Sequence, residues 1–220
     1  MRLRDRLGIS TRRQKQLSYL MELLLVGLLF IGIERGSTTI VVNTLVGLVV
    51  TQIPPVLERD YDVPMDPALT LWITSAVTLH AVGVVGLPGS EANFYGTIPG
   101  WDHVTHALSS SVVAAVGYAT ARALDIHSED IYFPRRFMFV YILLFVLAFG
   151  VLWEVIEFSL GVAARTMGNT ALLTQYGLED SMLDLVFDTI GAVIVAVWGT
   201  AHLHDVSGYI AAALQTRSAD

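Results

Sequence analysis

No cysteine occurs in the chain, which removes disulfides, thiolate metal ligands and a cysteine nucleophile together. Charge is scarce. Only 15% of the 220 residues are Asp, Glu, Lys or Arg, against about 25% in a soluble domain. Lysine occurs once, at Lys15. Thirteen basic residues face 20 acidic ones, for a net charge of −7, which argues against a nucleic-acid partner and the basic face it would need. There is no Gly-rich phosphate loop, no nucleophile elbow, no internal repeat and no low-complexity linker. The surplus is apolar: 54% of residues are hydrophobic and the mean hydropathy is +0.59. The arginine bias with an acidic total points to a GC-rich or high-salt prokaryote.

A helix needs about 20 mostly apolar residues to cross the hydrocarbon core. Six stretches approach or meet that length: Leu17–Ile33, Ser37–Leu57, Ala68–Leu87, Trp101–Ala123, Phe137–Val162 and Ser181–His204. They lack the period-2 alternation of barrel strands. The expected fold is therefore an all-α polytopic membrane protein with six transmembrane helices over 17–205. A basic cytoplasmic segment, 1–16, precedes them, and a cytoplasmic tail, 206–220, follows. The first stretch is read as a retained span, because Glu34-Arg35-Gly36-Ser37 offers no small-x-small cleavage site.

Basic residues set the orientation. With the N-terminus inside and six crossings, eleven of the 13 fall on the inner side; only Arg35 and Arg165 fall outside. Both termini are thus expected in the cytoplasm, with the chain in a prokaryotic plasma (inner) membrane.

This topology places most intramembrane ionisable groups in one outer layer. Asp102 and His106 lie about 40° apart on a helix, with Ser109 one turn deeper. Glu154 and Glu157 are about 60° apart, and Asp184 and Asp188 about 40°. Gly191 follows on the same side, where a neighbouring helix can approach closely. His80, His103 and Asp180 are further candidates. Asp102 alone reads equally as a helix N-terminal acid, His80 as a packed histidine, and Asp180 as a solvated loop acid. Trp101 and Trp153 read as interfacial anchors, and the serines at 109–111 as helix-packing residues.

An acid at the bilayer centre costs about 2.5–3.5 kcal/mol on insertion scales, and clustered carboxylates repel one another. A bound cation relieves both penalties. Mixed His and carboxylate ligands suit Zn, Mn or Fe better than Ca, and bundle helices build such sites from inward-facing acids and histidines. The expected metal ligands are Asp102, His106, Glu154, Glu157, Asp184 and Asp188.

Several segments together resemble a known family: Ile53-Pro54-Pro55 to Asp60, Val63-Pro64, Leu79-His80-Ala81-Val82-Gly83, Trp101-Asp102 with His106, Trp153-Glu154-Val155-Ile156-Glu157-Phe158, and Asp184 with Asp188 and Gly191. Over roughly 45–200 the chain resembles the YjdF-like inner-membrane proteins, whose biochemical function is not established, and more distantly the VanZ-like proteins linked to glycopeptide resistance. The resemblance implies shared roles for Asp102, His106, Glu154, Glu157, Asp184, Asp188 and His80. It departs at His103, where the relatives carry a basic residue, and at Asp180, which is one place out of step. It supplies no reaction.

Three functions fit these residues. One is a metal-dependent enzyme acting on lipid-linked or cell-envelope substrates, with Glu157 or Glu154 as general base. A second is a proton- or cation-coupled transporter, and a third a structural protein whose acids only pair helices. The inner halves of the last two spans, Phe137–Phe149 and Ala192–Val197, are almost purely apolar. That disfavours a path through the membrane.

Overall fold

A computed structural model describes residues 9–63, 65–87, 92–128, 130–168, 171–173, 175–199 and 207–212. Among these residues there is no strand; the chain is all-helical, as the apolar periodicity requires. The helices are α1 (Thr11–Glu34), α2 (Thr38–Thr51), α3 (Ile53–Asp60), α4 (Pro67–Val85), α5 (Phe94–Thr97), α6 (Trp101–His127), α7 (Arg135–Met167) and α8 (Leu178–Ile194). A π-helical turn, Val195–Gly199, continues α8, and 207–212 are helical again.

Among the described residues, five segments are long and apolar enough to cross a membrane: α1, α2 with α3, α4, α6 and α7. The sixth expected span corresponds to α8. Its 17 α-helical residues rise only about 26 Å, against a hydrocarbon core of about 30 Å, so a count of six depends on the π-helical continuation. Residues 200–204 of that expected span, and 213–220 of the expected tail, lie outside the described residues.

Local chemistry explains where the helices differ from the expected spans. α1 starts at Thr11, inside the expected 1–16 segment, because the Ser10 hydroxyl accepts the Arg13 N–H at 3.4 Å, as a Ser N-cap should. The second span is interrupted at Gln52. Pro54 lies in the first turn of the following helix, where its missing N–H costs least. α4 starts at Pro67 behind an Asp66 cap, whose carboxylate accepts the Ala68 N–H at 2.9 Å. It stops at Gly86, which is left-handed in φ (68°).

The described contacts divide the chain into two units. α1, α2 and α4 build the first; α6, α7 and α8 build the second. In the first, Gly36 (φ 62°) turns α1 tightly into α2. The Arg35 guanidinium donates to the Val85 carbonyl at 3.2 Å, tying α1 to the end of α4. Leu25, Leu28, Ile40, Ala81 and Val85 form its core.

In the second unit α8 lies against both α6 and α7. Small residues permit this. A Cβ on Gly191 would collide with the Ser110 hydroxyl and the Ala107 carbonyl of α6. A Cβ on Gly150 of α7 would come within 2.5 Å of the Asp188 carboxylate. At the far end of α6, Arg122 pairs with Asp125, and the Phe133 N–H donates to the same carboxylate at 2.7 Å. That carboxylate closes the α6–α7 turn. Outside the packed faces both units expose large apolar side chains, among them Leu20, Leu23, Leu144 and Val155, as helices bathed in lipid do.

Gly191→Ala is expected to lower stability by about 1–3 kcal/mol through overpacking. Gly161→Ala should be neutral or gain up to about 1 kcal/mol, since only the flexible end of Arg165 lies near its new methyl. Thermal unfolding of the two purified variants in detergent checks the contrast; equal midpoints would contradict the packing.

Candidate functional site

The site grows from α6. The helix starts after Gly100 (φ 77°), which has no side chain to cap it. Asp102 is in the first turn, where an acid opposes the positive end of the helix dipole. Four residues on, His106 faces the same side, with Nε2 3.6 Å from Asp102 Oδ1. α8 supplies two more acids on one stripe. Asp184 Oδ2 is 3.8 Å from His106 Nε2, and Asp188 Oδ1 is 3.2 Å from His106 Nδ1. One imidazole thus sits among three carboxylates from two helices. The Asp184 and Asp188 side chains are only 2% and 9% exposed.

The distances fall into two kinds. The 3.2 Å contact is a hydrogen bond, and it places the ring proton on Nδ1, toward Asp188. Nε2 faces Asp102 and Asp184 at separations too long for hydrogen bonding. Ligand atoms of Asp102, His106 and Asp184 all lie within 4.8 Å of one another. A cation about 2.0–2.2 Å from each of several N and O ligands holds them roughly 3–4 Å apart, so the donor set fits one. Asp184 Oδ1 is buried and has no hydrogen-bond partner among the described residues, a costly arrangement for a carboxylate oxygen. Asp188 stands where an outer carboxylate would stand beside a ligating imidazole.

α7 brings the glutamates. Glu157 accepts the Trp153 indole N–H at 3.0 Å, so Trp153 has a polar task besides any anchoring role. Glu154 Oε2 accepts from the Gln175 amide at 3.2 Å, and the same amide nitrogen donates to Ser181 at 2.8 Å. Glu154 Oε1 has no hydrogen-bond partner among the described residues. Both glutamates are buried, on the helix that packs against α6 and α8.

The remaining candidates separate. His103 lies about 100° from Asp102 on the helix, yet α8 reaches it. Its ring stacks on Phe187 at 4.4 Å, and Nδ1 is 3.8 Å from Asp184 Oδ1. Asp180 accepts the Tyr176 N–H at 3.0 Å and so braces the entry to α8. Ser109, expected to share the Asp102 and His106 face, is exposed; its neighbour Ser110 is buried and is the hydroxyl that meets Gly191. His80 has partners within the first unit, where Nε2 meets Asn43 Oδ1 at 3.0 Å and Nδ1 meets the Tyr95 hydroxyl at 2.6 Å. The Asn43 amide donates to the Thr39 carbonyl at 2.9 Å, which turns Oδ1 toward His80. Hence Nε2 carries the proton and Nδ1 accepts from Tyr95.

Sequence reasoning missed Gln175 and Ser181, and nothing in a loop glutamine announces such a role. It also missed Gly150. A glycine one turn before Glu154 on the same helix was the available signal.

The family model of the DUF2238 predicted membrane proteins matches residues 16–205. This chain belongs to that family. It is also 29% identical, over 143 residues, to an uncharacterised protein of Thermotoga maritima; the match covers 65% of this chain and 67% of the relative. No solved structure matches. The family's description names membrane character alone. The family match nevertheless spans every residue of the α6–α8 cluster.

His80 and Asn43 should be energetically coupled. His80→Gln and Asn43→Ala are each expected to cost about 1–3 kcal/mol by leaving a buried polar partner unsatisfied. The double variant should lose less than the sum by about 0.5–3 kcal/mol. Denaturant titration of the four proteins measures this; strict additivity would show that the contact contributes nothing.

Proposed function

We propose that this membrane protein crosses the bilayer six times with both termini in the cytoplasm. On this reading the α6–α8 unit holds a divalent cation, Zn, Mn or Fe, near the outer boundary, and the protein is a metal-dependent enzyme acting on a lipid-linked or envelope substrate. The observation that carries the reading is the imidazole of His106 set among three carboxylates, with only Asp188 at hydrogen-bonding distance. Without a cation, three acids share one ring, and two of them face its Nε2 without a hydrogen bond.

Position supports an outward-facing site. Along α6, Asp102 is 20 residues from Arg122, or about 30 Å. Along α7, Glu154 is 19 residues from Arg135, or about 28 Å. Acidic and basic ends are thus separated by about one hydrocarbon thickness, and basic residues mark the cytoplasmic side.

In this reading Asp102, His106 and Asp184 hold the cation, and His103 lies beside Asp184. Asp188 orients His106. A bound divalent cation supplies Lewis acidity and makes water a stronger acid. Glu154 is the proton carrier, because Gln175 fixes one of its oxygens and leaves the other open. Glu157 is held by Trp153 beside it. The exposed apolar flanks of α7 and α8, including Val155, Phe158 and Val186, let a substrate with a lipid tail approach from within the membrane.

Protein purified without chelator is expected to contain about one equivalent of Zn, Mn or Fe by elemental mass spectrometry. His106→Ala and Asp184→Ala should lose it and Asp180→Ala should keep it, because Asp180 serves the α8 entry. Mild acid should release the metal, since both ligand types bind only when deprotonated. A metal-free wild type that takes up none on reconstitution would defeat the reading.

The absence of cysteine makes the topology directly testable. A single cysteine at Glu179, before the acids of α8, should react in intact cells with a membrane-impermeant maleimide. One at Ser10 should react only after lysis. The reverse pattern would place the acidic cluster inside.

A further inference from the structure

The opposite end of the α6–α8 unit carries a cavity of about 610 Å³, whose wall includes Tyr118 and Arg122 of α6, Tyr132, Arg135 and Ile142 of α7 and the turn before it, and Val197 of the π-helical turn. None of the carboxylates or histidines discussed above contributes to it. Two features set its chemistry. The first is charge. Arg122 is held by Asp125, whose carboxylate also accepts the Phe133 N–H and is only 3% exposed. That pair fixes the guanidinium through Nη1 and leaves its other N–H groups for a further acceptor. Arg135, which also lines the cavity, is exposed and makes no ion pair among the described residues, so a second guanidinium is open to an anion. The second feature is an apolar remainder, which includes the buried Ile142 and the exposed Val197.

We propose that this cavity binds the phosphate headgroup and the first acyl methylenes of an anionic phospholipid. Arginine pairs with phosphate through several N–H groups at once, and the phenols of Tyr118 and Tyr132 are additional donors to the same oxygens. Basic pockets between membrane helices recognise anionic headgroups in this way. Size selects a lipid over a bare anion. The volume falls in the range of sites for drug-sized molecules, about 300–1,000 Å³. The five non-hydrogen atoms of inorganic phosphate, at roughly 30 Å³ apiece, fill about a quarter of it. Acyl methylenes fill the apolar remainder.

The test uses the full-length protein in a neutral detergent, titrated with phosphatidylglycerol, with phosphatidylcholine of the same acyl chains, and with inorganic phosphate, and read by native mass spectrometry. Phosphatidylglycerol should bind at least tenfold more tightly than phosphatidylcholine, and inorganic phosphate should not displace it at equal concentration. Arg135→Gln removes the unpaired charge and should weaken phosphatidylglycerol about tenfold, the value of one charge-assisted hydrogen bond. Val197→Trp fills the cavity from an exposed position and should weaken it independently. Arg165→Gln removes a charge from the other end of α7 and should leave binding unchanged. Thermal unfolding confirms that each variant is folded. Equal binding of the two lipids would overturn the proposal, as would displacement by equimolar phosphate or wild-type affinity in both Arg135→Gln and Val197→Trp.

Discussion

A carboxylate held among apolar helices needs a counter-charge or hydrogen-bond donors, because hydrocarbon supplies neither and the unmet cost is about 2.5–3.5 kcal/mol per acid. The α6–α8 unit is arranged around that constraint. His106 donates to Asp188 and faces Asp102 and Asp184, Trp153 serves Glu157, and Gln175 serves Glu154. Asp188, Glu157 and Glu154 each accept a hydrogen bond, yet among the described residues Asp184 and Glu154 each keep one buried oxygen without one. Among the described residues the acceptors of the unit thus outnumber the donors that meet them, and that excess is what a cation would use.

The packing follows from the same requirement. For α8 to bring Asp184 and Asp188 to His106, its backbone must lie close to α6 and α7. Gly191 and Gly150 make room at the two contacts where any side chain would strike the opposing helix or the Asp188 carboxylate itself. Small residues are the usual means of close approach where lipid gives no hydrophobic drive to association. The glycines and the acids of α7 and α8 therefore form one structural device. Gly191 follows Asp188 by three residues, and Gly150 precedes Glu154 by four.

Polarity is divided between the ends of the same unit. Acids and histidines gather where α6 begins and α7 runs toward its end. Arg122, Arg135 and Arg136 gather where α6 ends and α7 begins. Between them α7 presents an aromatic row, Phe137, Tyr141, Phe145 and Phe149, with successive centroids 4.9–6.5 Å apart, and Gly117 of α6 leaves space for Phe145. An apolar middle thus separates the acid-rich end from the end that carries the arginines.

Helical class, membrane character and the approximate span positions were legible in the residues themselves, because a crossing helix must satisfy its backbone internally and show apolar side chains over a set length. The pairs Asp102/His106, Glu154/Glu157 and Asp184/Asp188 were legible too, since helical periodicity alone puts each pair on one face. Periodicity cannot say which way a face turns, and there tertiary structure decided. It buried Ser110 and left Ser109 exposed, because the close contact at Gly191 sets the rotation of α6. It drew His103 into the site through Phe187, and it engaged His80 with Asn43 and Tyr95, residues 37 and 15 positions away. Gln175 became a partner of Glu154 only because a loop returns 21 residues later to the same place. Such contacts depend on how helices dock, a property of pairs of surfaces that no single helix contains.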